Sequence, residues 1–84
     1  MVNIEVRLTI VQNSGDKLHN AYMLSWDSNK KTFETLIMDL LNTIQVTEDP
    51  GTLQSIVLND ILVKGATDNE REEIDNFKKE AGIA

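Results

Sequence analysis

Eighty-four residues amount to one small domain, and a chain this short buries only about 60–65% of the surface it exposes when unfolded, so its core must be efficient. A composition 40% hydrophobic and 26% charged is too apolar for a disordered chain. The absence of cysteine excludes disulfides, thiolate metal sites and cysteine nucleophiles together. The net charge is −6, and the segment from residue 43 onward carries −5 of it, with nine acids against four bases. Such a surface repels phosphate backbones, so no direct nucleic-acid contact is expected.

No segment reaches the roughly 20 apolar residues that a bilayer-spanning helix needs. The richest run, Leu36-Ile37-Met38, is interrupted by Asp39 before Leu40-Leu41. Residues 1–7 lack the basic and then uninterrupted apolar regions of a secretion signal. The expectation is a cytoplasmic protein without membrane contact.

Residues 2–11 alternate: Val2, Ile4, Val6, Leu8 and Ile10 fall on one side, Asn3, Glu5, Arg7 and Thr9 on the other. Period two over this length predicts a half-buried strand. Gln12 to Lys17 carries turn chemistry in Asn13, Gly15 and Asp16. A second strand is predicted over 19–26, with Tyr22, Leu24 and Trp26 sharing one face and Ala21, Met23 and Ser25 the other. The two strands read as an antiparallel hairpin.

A helix is predicted over 31–45, because Phe33, Leu36, Ile37, Leu40, Leu41 and Ile44 form one stripe at helical spacing. Pro50-Gly51 marks a turn. Residues 53–64 then read as two short strands joined at Asn59-Asp60, or as one longer strand with a bulge there. The hairpin register places Ile56, Leu58, Ile61 and Val63 on one face and Val57 and Leu62 on the other. A final helix over 68–81 opens with the capping-box pattern Thr67-Asp68-Asn69-Glu70 and closes on Gly82-Ile83. Its apolar stripe is thin: Ile74, Phe77 and Ala81.

The fold class is therefore α+β, a mainly antiparallel sheet in the order ββα, then ββ or one long β, then α. In element order, residues 2–64 resemble the β-grasp arrangement of ubiquitin-like proteins. The resemblance implies no conjugation role, since the chain ends Ala81-Gly82-Ile83-Ala84 rather than in Gly-Gly. An acidic helix also stands where a closing strand would be expected.

Nothing in the sequence assembles a catalytic site. His19 is the lone histidine, beside the predicted hairpin loop, where a solvated turn residue is the simpler reading; with no second histidine and no cysteine, no zinc site can be built. The four glycines are scattered and form no phosphate-cradling loop. The run from Asp68 to Glu73 lacks the spacing of a calcium loop. No cofactor, metal or catalytic residue is expected, and the chain reads as a non-catalytic protein-interaction module, accessory or regulatory.

Three surfaces could carry that binding. The first is the outer sheet face with Val11, Met23, Val57 and Leu62; the last two become minor core if the second helix covers them. The second is an exposed strand edge, a route to peptide binding or to a homodimer. The third is the C-terminal helix with Asp68, Glu70, Glu72, Glu73, Asp75 and Glu80. It suits either a solvated face braced by an Asp75–Lys79 pair or an acidic inhibitor that blocks a basic groove of a partner protein, as some small phage-encoded proteins do. Trp26 and Tyr22 read as core.

Overall fold

The computed structural model describes residues 1–47 and 51–83. The elements run β1 (Val2–Gln12), β2 (Lys17–Trp26), α1 (Phe33–Thr47), β3 (Leu53–Lys64) and α2 (Asp68–Glu80). The strands form one antiparallel sheet in the order β2-β1-β3. Both helices contribute to a single core on one sheet face, so the architecture is a small α+β fold. The predicted turn residues Glu48, Asp49 and Pro50 lie outside the described residues.

The alternation of β1 explains its central place. Val2, Ile4, Val6, Leu8 and Ile10 are all buried, and each has a partner on β2, on β3 or on both. The hairpin to β2 turns through Gly15, whose φ of +91° suits a residue without Cβ. The Gln12 N–H bonds the Asp16 carbonyl at 2.9 Å and the Gly15 N–H bonds the Gln12 carbonyl at 2.9 Å.

β3 is one strand, not two short ones. Arg7 pairs with Asp60 while Leu8 pairs with Leu58, which leaves Asn59 as an extra residue; a second irregularity lies between Val11 and Gln12. The bulge has a packing cause. Ile61 and Val63 point inward, and strict alternation would turn Leu58 and Ile56 outward. One extra residue resets the alternation and returns both to the core side, where they pack against the buried cluster. The expected hairpin at Asn59-Asp60 is corrected accordingly, and the resemblance to the β-grasp order stops after ββα.

α1 starts two residues later than predicted and buries Phe33, Ile37, Leu40 and Ile44. Thr32 caps it: its hydroxyl accepts the Thr35 N–H at 3.2 Å. Trp26 is fully buried and donates its indole N–H to the Lys31 carbonyl at 2.9 Å. Its ring meets Phe33 edge-on with centroids 5.2 Å apart, and Phe33 meets Phe77 in the same way at 5.3 Å. This aromatic chain ties the end of β2 to the start of α1 and to α2.

α2 is anchored more firmly than its thin stripe implied. Ile74 and Ile83 are buried and Phe77 half-buried, whereas Ala81 is exposed, against expectation. Thr67 and Glu70 complete a reciprocal capping box. At the other end the Ile83 N–H bonds the Lys78 carbonyl and the Gly82 N–H bonds the Lys79 carbonyl, with Gly82 at φ +73°. That is the Schellman arrangement, and it delivers Ile83 to the core.

Candidate functional site

Both helices pack on the face that carries Ile4, Val6 and Ile61, so the opposite face of the sheet is left uncovered. Three apolar side chains stand on it. Met23 is 70% exposed, Val57 48% and Leu62 41%. α2 does not cover Val57 and Leu62, so the alternative in which they form a minor core is overturned. The fourth expected residue, Val11, is half-buried.

Strand register sets the spacing of this face. Glu5 pairs with Met23 on one side and Leu62 on the other, so the two apolar groups flank a carboxylate. The Glu5 carboxylate is held by the Arg7 guanidinium at 2.6 Å. A shallow depression of about 290 Å³ lies here, lined by Asn3, Glu5, Met23, Leu62, Val63 and Lys64. Thr9 makes the next feature. It is the buried polar residue of this face, 7% exposed, and pairs with His19 and with Val57. Its hydroxyl lies 2.9 Å from His19 Nδ1, and the Asn59 side-chain amide donates to it at 2.6 Å. The bulge residue is thus tied into a polar chain that crosses all three strands. His19 therefore sits in the sheet rather than free in a turn.

The free edge of β2 is the second element of the site. Residues directly opposite in an antiparallel pair alternate between bonded and non-bonded. The bond between Gln12 and Asp16 sets that alternation so that Leu18, Asn20, Tyr22, Leu24 and Trp26 turn their backbone groups toward β1. His19, Ala21, Met23 and Ser25 then turn theirs outward. From Leu18 to Trp26 no residue carries a formal charge (His19 neutral), no proline interrupts, and no register shift occurs. The β3 edge differs: it carries both irregularities together with Asp60 and Lys64. Those are devices that discourage pairing, and β2 has none of them within that stretch.

The acidic helix divides into two groups. Glu70 accepts the Thr67 N–H at 2.9 Å and the Ser28 hydroxyl at 2.7 Å. The Thr67 backbone bond, then the Ser28 hydroxyl, hold its carboxyl below the ordinary glutamate range. Glu73 accepts the Phe33 N–H at 2.5 Å. Both are fastenings between elements. Asp68, Glu72 and Asp75 remain as an exposed stripe, and Glu80 lies beside Glu34 and Glu73 on the flank facing α1. The expected Asp75–Lys79 pair does not form; Lys78 instead reaches Asp60 at 4.0 Å.

Among the described residues no group of histidine and acidic side chains is placed to hold a metal ion. No helix among them is long and apolar enough to cross a membrane. Comparison with protein-family models, curated proteins and solved structures finds no match to this chain.

The structure thus brings Met23 and Leu62 together across Glu5, sets Val57 two outer-face positions further along, beyond Arg7 and Asp60, and separates all three from the acidic helix. Sequence reasoning placed Glu5, Arg7 and Thr9 on the polar side of the first strand but gave them no part in a site, and it missed the Asn59 bond to Thr9. The signal for the β2 edge was present in the charge-free run from Leu18 to Trp26.

Proposed function

We propose that this chain is a small, non-catalytic protein-interaction module whose contact surface is the uncovered outer face of the sheet. The observation that carries this reading is the exposure of Met23, Val57 and Leu62 beside an unguarded β2 edge. Exposed apolar groups on one face, interleaved with the charged side chains of Glu5, Arg7 and Asp60, suit a protein partner. The polar chain of His19, Thr9 and Asn59 would add directional bonds to that contact. The acidic-inhibitor alternative draws on a smaller set than the sequence offered, because Glu70 and Glu73 serve internal bonds.

Site-specific photocrosslinking in the native host separates the two readings. A photoreactive residue at position 62 is expected to capture a protein, while the same residue at position 72 on α2 captures none. Adducts at 72 alone would replace the sheet-face reading with the acidic one.

A further inference from the structure

We infer that the partner of the β2 edge is a second copy of this chain, paired antiparallel about a twofold axis at Tyr22. The inference deepens the proposed function and rests on its reading of the sheet as a contact surface.

The flanks of the edge carry the argument. The stretch from Leu18 to Trp26 is free of formal charge, but Lys17 precedes it and Asp27 follows it. In an antiparallel pair centred on Tyr22, Lys17 of each copy lies opposite Asp27 of the other, so both ends of the ladder are charge-matched. Moving the centre to Ala21 would set Lys17 opposite Ser25. Moving it to Met23 would set Lys17 opposite Asn29. Both shifts keep the same faces and the same bonding alternation, and both lose the match. Charge therefore selects one register among those that the backbone permits.

The backbone suits that register. The outward-turned residues meet one another, His19 opposite Ser25 and Ala21 opposite Met23, which is the bonded class of antiparallel pair. On the outer face Met23 would lie against Ala21 of the second copy. On the inner face Leu18, left 43% exposed beyond the helices, would come to lie along the end of the second copy's β2, where Trp26 is already buried in its own core. Asp27 keeps one carboxylate oxygen on the Asn29 N–H at 3.0 Å, which leaves the other for Lys17.

Sedimentation equilibrium at low salt tests the register by charge reversal. The wild-type chain is expected to dimerise. Lys17→Glu places a carboxylate opposite each Asp27, and Asp27→Lys places an ammonium group opposite each Lys17. Each variant is expected to weaken the dimer about five- to tenfold, the size that two exposed ion pairs allow. In an equimolar mixture of the two variants, the mixed pair sets a carboxylate opposite an ammonium group at both ends, so dimer is expected to return, and a neutral control, Lys17→Gln, should weaken the dimer less than either reversal. The double reversal, Lys17→Glu with Asp27→Lys in one chain, restores both matches and with them the dimer. Ala21→Pro provides a second arm: it removes an outward N–H from an edge strand without touching the β1 ladder, so the monomer stays folded and the dimer is lost. A wild-type chain monomeric at every concentration would overturn the inference, as would a dimer indifferent to Ala21→Pro or one not restored by the double reversal. Photocrosslinking to a different protein at position 62 would leave the interaction-module reading standing in that event, so the two failures are distinguishable.

Discussion

Glu73 of α2 accepts the backbone N–H of Phe33 at 2.5 Å, so one helix caps the start of the other. The first N–H groups of a helix have no partner within it, and a carboxylate there also favours the positive end of the helix dipole. Glu73→Ala is expected to cost about 1–2 kcal/mol. Glu73→Gln should lose less, because its amide oxygen still accepts the bond. Urea unfolding with an unchanged m-value is the check.

Glu70 makes the same region sensitive to acid. Its folded-state carboxyl is held below the ordinary glutamate value of 4.5, mainly by the Thr67 N–H and then by the Ser28 hydroxyl. The stabilisation is therefore fully present above about pH 4.5 and is lost as pH falls through the lower folded value. Glu70→Gln should remove this part of the pH dependence. Urea midpoints at pH 7 and pH 3.5, for wild type and variant, measure it.

Deleting Asn59 should cost little more than replacing it. Asn59 is the extra residue, so its deletion joins Asp60 to Leu58 and plain alternation keeps Leu58 and Ile56 on the core side with the pairing to β1 unchanged. Asn59→Ala and the deletion both lose the bond to Thr9, about 1 kcal/mol. A deletion variant several kcal/mol less stable than Asn59→Ala in urea would contradict the role assigned to the bulge.

Adjacent residues on β3 should respond in opposite ways. Ile61 is buried and Leu62 is 41% exposed. Ile61→Ala is expected to cost about 2–5 kcal/mol, whereas Leu62→Ser should stay within about 0.5 kcal/mol. Loss of photocrosslinked partner in Leu62→Ser, with the photoreactive residue moved to position 23 and the thermal midpoint unchanged, would mark Leu62 as a contact residue.

Much of this fold was legible from periodicity. The clean alternation of Val2 to Ile10 and the helical stripe from Phe33 to Ile44 each report a single face in contact with the core. The connection within residues 53–64 was ambiguous for a physical reason. A two-residue hairpin and a one-residue bulge place Ile56, Leu58, Ile61 and Val63 on one face alike, and only pairing to β1 distinguishes them. The anchoring of α2 was hidden because Glu70 and Glu73 bond across roughly 40 residues of sequence, and a carboxylate used this way reads in the sequence as a solvated acid. The uncovered face could not be read either. Whether Val57 and Leu62 meet helix or solvent depends on where α2 crosses the sheet, which no local pattern encodes.

The most direct test of the outer face and β2 edge as the contact surface is amide hydrogen exchange, followed residue by residue at low and at high protein concentration. At low concentration the Tyr22 and Leu24 amides should exchange slowly and the Ala21, Met23 and Ser25 amides fast. Raising the concentration should slow those three while leaving the amides of α2 unchanged. Fast-exchanging Tyr22 and Leu24, or a concentration response confined to α2, would contradict the account.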